Sequence, residues 1–313
     1  MLPFPEQLIH KELLINSYGY HLRKKFGCRV SKVNVDAGFT CPNRDGSKGT
    51  GGCIYCNNSS FSPRETLPEI PLEMQIKAGI AYHKKRLGSE KFIVYFQKYT
   101  NTYGPTDHLE EIYSRALEHP DVIGISVGTR PDSICDEAIE LLARIAKKHY
   151  VCLELGLQSM DDTILSSINR GHTVNDFLDA VNMVSGRGFE ICVHLIHGFP
   201  GETADDFLKT AGAISAMPIN SIKLHQLHAV KGTLLAEMYL RGEFVPLTLE
   251  EYITNAADFL ELLNPEISIQ RLYGSAPLEI CIAPRWGVKN NSMWFAVLNE
   301  LKKRGSCQGI RHP

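Results

Sequence analysis

Two hydrophobic periods alternate along the chain from residue 30 onward. Short runs rich in β-branched residues end in Gly, Pro or polar residues, and each is followed by apolar positions three to four apart. The runs read as strands at Lys32–Val35, Phe92–Phe96, Ile123–Val127, Val151–Leu155, Ile191–Ile196 and Ile222–His225. Between them the spacing predicts helices over Leu72–Arg86, Leu109–Leu117, Ile134–Lys147, Thr173–Ser185 and Ala204–Ser215. In the third of these, Ile134, Ala138, Leu141, Leu142 and Ile145 share one face. Asp107 is placed to cap the second helix, and Thr203 or Asp205 the last.

Strand followed by helix, repeated this often, argues for parallel strands joined by right-handed crossovers. The expected fold is α/β: a partial (β/α)6 TIM-like barrel over residues 30–228. Residues 1–29 form an N-terminal extension whose Arg23-Lys24-Lys25 reads as a solvated helix face. Residues 229–313 form a C-terminal accessory region packed on the barrel, with a helix at Leu249–Leu263, a strand at Ser268–Leu272 and a closing helix at Ser292–Lys303. In barrels of this kind chemistry sits at the C-terminal ends of the strands, so residues just after each strand draw attention.

Composition narrows the class without naming the chemistry. The 313 residues are 43% hydrophobic and 22% charged, which excludes disordered and fibrous chains. A net charge of −2 announces no nucleic-acid partner, which only a local basic face could serve. No apolar run reaches the ~18–20 residues of a membrane span, and the start lacks the pattern of a secretory signal. The expected compartment is the cytoplasm, where the 9 cysteines are more apt to bind metal or do chemistry than to pair.

Three of those cysteines cluster. After the first strand the chain reads Asp36-Ala37-Gly38-Phe39-Thr40-Cys41-Pro42-Asn43-Arg44-Asp45-Gly46, then Gly51-Gly52-Cys53-Ile54-Tyr55-Cys56. Gly46, Gly49, Gly51 and Gly52 make the connection pliable enough to bring Cys41, Cys53 and Cys56 together. Three thiolates can hold a four-iron cluster and leave one iron open. A structural zinc site completed by Cys28 is the competing reading. A phosphate loop is excluded, because no Gly-Lys-Ser/Thr follows. Cys152 and Cys192 fall inside strands and read as small core residues.

The triad, with Tyr55 immediately before its last cysteine, resembles the radical S-adenosylmethionine (SAM) superfamily. Its usual spacing is C-x3-C-x2-C; here it is C-x11-C-x2-C, as in relatives of the Elongator catalytic subunit. Gly128-Thr129-Arg130-Pro131-Asp132 resembles Elongator's Thr-Arg-Pro-Asp segment. Glu154-Leu155-Gly156-Leu157-Gln158-Ser159 and Asn169-Arg170-Gly171-His172 resemble oxygen-independent coproporphyrinogen oxidase, and His194–Thr203 resembles both. Together with Asp45, Phe96-Gln97 and Leu224–His228, the pattern is similar to the YhcC/YtqA-like bacterial group.

The resemblance implies a radical SAM enzyme with a [4Fe-4S] cluster on Cys41, Cys53 and Cys56 and with SAM as second cofactor. Reductive cleavage of SAM would yield a 5′-deoxyadenosyl radical that takes hydrogen from an unactivated carbon. A low-potential donor of flavodoxin or ferredoxin type would supply the electron. Tyr55 would lie near the adenine, and Gln97 would take the SAM amino group by side chain or backbone carbonyl. Arg130 would face the SAM carboxylate or a substrate anion, with an ion pair to Asp132 or Asp136 as the alternative. Gln158 and Arg170 repeat the spacing of two SAM contacts in coproporphyrinogen oxidase. His194 and His225 would contact the cofactor by hydrogen bonds at the barrel mouth, a second metal on His194, His197, His225 and His228 being the alternative. The expected substrate is the wobble-uridine side chain of tRNA, in maturation of the 5-carboxymethylaminomethyl to aminomethyl type. A small metabolite or tetrapyrrole is the enzymatic alternative, and a non-catalytic iron–sulfur or haem-binding protein the other. Basic residues outside the barrel motifs are candidate phosphate contacts: Arg23, Lys24, Lys25, Arg29 and Lys32 before the cluster, and Arg271, Arg285, Lys289, Lys302, Lys303, Arg304 and Arg311 in the tail.

Overall fold

The computed structural model describes residues 14–57, 66–288 and 290–313. A short helix α1 (Tyr18–Phe26) leads into β1 (Val30–Val35). There follow α2 (Leu72–Leu87), β2 (Lys91–Phe96), α3 (Thr106–Ala116), β3 (Val122–Thr129), α4 (Asp136–Ala146) and β4 (Tyr150–Gln158). Then come α5 (Asp162–Ser167), α6 (Val174–Val184), β5 (Glu190–His197), α7 (Ala204–Ser215) and β6 (Ser221–Gln226). The tail adds β7 (Ala229–Val230), α8 (Leu234–Leu240), α9 (Leu249–Leu262), β8 (Ser268–Arg271), β9 (Cys281–Ala283) and α10 (Asn290–Arg304).

The main sheet is parallel, with seven strands in the order β1-β2-β3-β4-β5-β6-β8. The six expected strands are all present, and the tail supplies a seventh. Lys32 on β1 donates to Gln270 Oε1 on β8 at 2.7 Å. In a flat sheet the outer strands of seven would stand roughly 29 Å apart. The sheet is therefore curled until its two edges nearly meet, though β1 and β8 do not pair. At the gap Ser17 bridges Ile269.

Alternation along the strands sorts side chains between helices and interior. Outward residues such as Val33, Val35, Val127, Leu153, Leu155 and Val193 pack against the helices in the main core. The interior has three levels. At the bottom Ile93, Cys152 and Cys192 pack with Tyr18 and Leu22 of α1, which plugs the barrel; Cys152 and Cys192 are core residues, as expected. The middle level is charged, with Lys32, Glu154 and Lys223. The top, at the C-terminal strand ends, is an open pocket.

Several helix starts follow their caps. Thr173, Thr203 and Thr248 each close a capping box with an acid three residues on, so Thr203 rather than Asp205 caps α7. Asp107 does not cap α3. Pro105 precedes that helix with no side-chain cap, and Asp107 lies in its first turn, where a negative charge meets the helix dipole.

Candidate active site

The cysteine loop leaves β1 at Asp36, whose carboxylate accepts from Lys98 Nζ at 2.7 Å. Arg44 N and Asp45 N both bond Cys41 O, turning the chain just after the first cysteine. Cys56 N bonds Cys53 O at 2.9 Å, so the C-x-x-C pair sits on a tight turn. That turn is held from outside, since Ile54 N bonds Ile168 O and Leu235 N bonds Ile54 O. Asn169 Nδ2 donates to Gly52 O at 2.8 Å, and Asn43 Nδ2 to Asn169 O at 2.7 Å. Asn43 Nδ2 and Arg170 Nη1 each approach Cys53 Sγ at 3.7 Å. Arg44 donates to Cys56 O. Burial and then Cys53 push the Cys56 thiol up, with Arg44 opposing.

Strand ends supply the rest. Cys41, Cys53, Tyr55 and Cys56 line one pocket with Gln97, Arg130, Gln158, Arg170, His194 and His225, so every candidate residue meets there. Tyr55 packs against Phe199 at 5.6 Å between ring centres. Gln97 Oε1 accepts from Asn34 at 3.0 Å, which leaves the side chain its amide hydrogens to offer. Arg130 takes its alternative too: Nε and Nη2 fork onto Asp132 at 2.9 Å. Its Nη1 is buried and has no partner. Arg170 donates to Gly156 O at 2.6 Å and to His172 at 2.9 Å. Burial and then Arg170 push His172 down to about 4, so the neutral ring accepts that bond.

Backbone strain collects at this rim. Tyr99, Gln158 and Asn169 are the non-glycine residues with positive φ among the described residues, and each lines the pocket or the cleft beside it. At Gln158, φ is 79° and the register with β5 slips between Gly156 and Gln158. Such conformations cost about 1–3 kcal/mol and collect at functional sites.

Beneath the pocket Glu154 is fully buried. Its carboxylate meets Lys32 Nζ at 2.5 Å, Ser126 Oγ at 2.5 Å, His194 Nε2 at 2.6 Å and also Lys223. Burial alone would raise this carboxyl; Lys223, Lys32 and the His194 bond outweigh it and hold it well below the usual range. Burial and then Lys223 push His194 down to about 4, so its ring is neutral. Burial pushes His228 down to about 4 as well.

Among the described residues, the one set of three metal-capable side chains with ligand atoms within 4.8 Å of one another is Glu154, Cys192 and His194. Two lysines already neutralise that carboxylate, so it is no metal site. The three loop cysteines do not form such a close set, which fits a multi-iron cluster better than a single zinc ion. Cys28 precedes β1 while Cys41 follows it, which puts about 20 Å of strand between them. A thiol that receives two N–H donors, Cys53, beside a buried arginine nitrogen without a partner, fits a cluster and an anionic second cofactor.

The radical SAM superfamily profile matches residues 44–214, and the radical SAM C-terminal domain profile matches residues 219–303. The chain belongs to the radical SAM superfamily. YtqA of Bacillus subtilis (strain 168) is 37% identical over 98% of this chain and 95% of its own length. The tRNA uridine(34) acetyltransferase of Methanocaldococcus infernus is 27% identical over 66% of this chain and 40% of its own. The archaeal M. infernus Elp3 with an N-terminal deletion shares the fold, with a TM-score of 0.68 and 21% identity over 89% of this chain and 64% of that one. As a radical SAM enzyme the chain uses a [4Fe-4S] cluster and SAM, and needs an electron donor. No helix among the described residues is long and apolar enough to cross a membrane.

The second-metal alternative fails in this radical SAM chain. His197 is spent on Glu202 at 2.8 Å and Asn255 at 2.8 Å, stacked on Phe207. Arg304 is held by Asp258, Glu261 and Glu300, so it is no free phosphate contact. Lys289 lies outside the described residues. Lys32 and Arg271, expected among the phosphate contacts outside the barrel, stand in its interior instead, Lys32 on Glu154 and Gln270 and Arg271 in the pocket lining. Lys223 and the role of Glu154 escaped sequence reasoning. Their signal was available, since a charged residue inside an apolar run of a parallel strand breaks the expected pattern.

Proposed function

We propose that this radical SAM enzyme acts on the wobble uridine of tRNA, maturing a 5-carboxymethylaminomethyl side chain to the aminomethyl form. The carboxymethyl group would leave as glyoxylate after water adds to the oxidised C–N bond, with SAM, going to methionine and 5′-deoxyadenosine, as the two-electron oxidant. The observation that carries the reading is the likeness, over 66% of this chain, to a tRNA uridine(34) acetyltransferase. When bound, the cluster and SAM supply a radical able to take a hydrogen atom from an unactivated carbon.

The chain's own residues divide the remaining work. Cys41, Cys53 and Cys56 hold the cluster, with Asn43 and Arg170 donating to Cys53. Arg130 Nη1 receives the SAM carboxylate, and the Gln97 backbone carbonyl takes the SAM ammonium, since its side-chain oxygen is engaged. Gln158 offers its amide from a strained strand end, and Tyr55 faces the adenine. His194 and His225 are neutral and hydrogen-bond at the floor without adding charge. A flavodoxin- or ferredoxin-type protein is the electron donor, and the compartment is the cytoplasm.

Mass spectrometry of bulk tRNA nucleosides from a deletion strain tests the substrate. The expected result is accumulation of 5-carboxymethylaminomethyluridine at the expense of the aminomethyl form; an unchanged wobble-uridine profile overturns the reading. The tRNA side is served by exposed Lys231 and by Arg285, which flank the β7–β9 pair. Replacing both by Ala lowers the slope of log affinity against log salt by about 2.

A further inference from the structure

The charged level under the pocket is out of balance. Lys32, Lys223 and Arg271 stand there against the single carboxylate of Glu154. That carboxylate is shared by both lysines, Ser126 and His194. Arg271 lines the pocket, and among the described residues it has neither a hydrogen-bond partner nor a carboxylate within ion-pair distance. The surrounding rings bring no compensation. Burial first and Arg271 second push His225 well below its ordinary value. Lys223 shows the same strain: burial and crowding by Lys32 and Arg271, against Glu154, push it down to about 8. Lys223 is buried and Lys32 and Arg271 are half-buried, and a surplus of positive charge at this depth is costly until an anion completes it.

Arg271 reaches the interior by a break in the strand. β6 and β8 pair as Ser221 with Ser268 and Ile222 with Ile269; then Lys223 stands opposite Arg271, passing over Gln270. Gln270 already faces inward, where it meets Lys32. In a regular strand the next residue would face the helices. The bulge turns it inward as well, as bulges beside active sites do. Arg130, at the end of β3, is separated from β8 by β4, β5 and β6 in the sheet order. The pocket thus offers two distinct cationic ends.

We infer that Arg271 is the anion-binding end of the substrate subsite and takes a carboxylate carried by the substrate. This rests on the uridine reading above, whose side chain ends in a carboxylate. A guanidinium fork matches that group with two parallel hydrogen bonds, which a lysine cannot do. Arg271 is then a specificity-determining residue: it separates the carboxymethylaminomethyl substrate from its aminomethyl product, which lacks the anion and is free to leave.

The test uses reconstituted anaerobic holoenzyme and anticodon stem-loops carrying either the carboxymethylaminomethyl or the aminomethyl uridine. Wild type is expected to bind the first more tightly. Arg271→Gln loses roughly 10–100-fold on the first and little on the second, and Arg271→Lys recovers only part. Equal losses on both stem-loops, or a comparable loss of SAM affinity, overturn the assignment. If wild type binds neither stem-loop, the uridine reading fails while the arginine assignment is decided separately. There, phenylglyoxal modification of Arg271 is followed by peptide mass mapping. Saturable protection by N-methylglycine, with none by inorganic phosphate, supports a carboxylate site. Absence of protection, or equal protection by phosphate, overturns it.

Discussion

At the scale of single residues, Glu154 holds the interior together. It answers buried Lys223, half-buried Lys32 and a histidine at once. Glu154→Gln leaves those lysines without a counter-charge and is expected to cost about 3–5 kcal/mol, read by anaerobic urea unfolding. Adding Lys223→Met should return part of that loss, because it removes one of the stranded charges. The cysteines give a sharper readout. Any of Cys41→Ala, Cys53→Ala or Cys56→Ala is expected to abolish the content of about four irons, and Cys28→Ala to keep it; iron and zinc analysis checks both. The loop cysteines, Gln158 and Arg170 were legible because a motif carries them at fixed spacing. Arg271 was not: strand alternation sends it outward, and only a bulge in the pairing with β6 reverses it. Nor does the sequence reveal that Arg304 is saturated by acids from a neighbouring helix.

At the scale of elements, α1 depends on Glu190 at the start of β5. That carboxylate takes His21 Nε2 at 2.9 Å, Lys25 Nζ at 2.6 Å and Tyr150 OH at 2.6 Å, and Tyr18 OH joins Tyr150 OH at 2.8 Å. Burial would raise the Glu190 carboxyl, but the three bonds and the His21 charge bring it down to about 2. Its folded value lies below its unfolded one, so the stabilisation is full above the ordinary carboxyl value and fades as pH falls toward 2. Glu190→Gln should therefore destabilise by about 2–3 kcal/mol at pH 7 and by far less at pH 3, in matched denaturant titrations. Helices such as α4, α6 and α9 were readable because 11 to 14 residues show three turns of apolar spacing. The 6-residue α5 and 7-residue α8 are too short to show it. A strand of two residues, such as β7, shows no alternation.

At the scale of the whole molecule, the repeat of strand and helix made the barrel legible, because each unit is local in sequence. The closing of the curl was not, since it pairs the start of the chain with its tail: Asn16 Nδ2 donates to Pro265 O at 3.0 Å and Asn16 N to Gln308 Oε1 at 2.9 Å. A fragment ending at residue 228 lacks β8 and is expected to lose the single cooperative unfolding transition of the full chain. The same closure sets a clock on synthesis. β8 leaves the ribosome about 220 residues after Cys53, which at ~5–20 residues per second is roughly 10–40 s. Through that interval the three thiols travel without the wall that will enclose them, open to oxygen and stray metal. Chains arrested near residue 260 should alkylate readily at Cys53, and completed chains slowly; equal rates would show that the pocket closes before its last strand arrives.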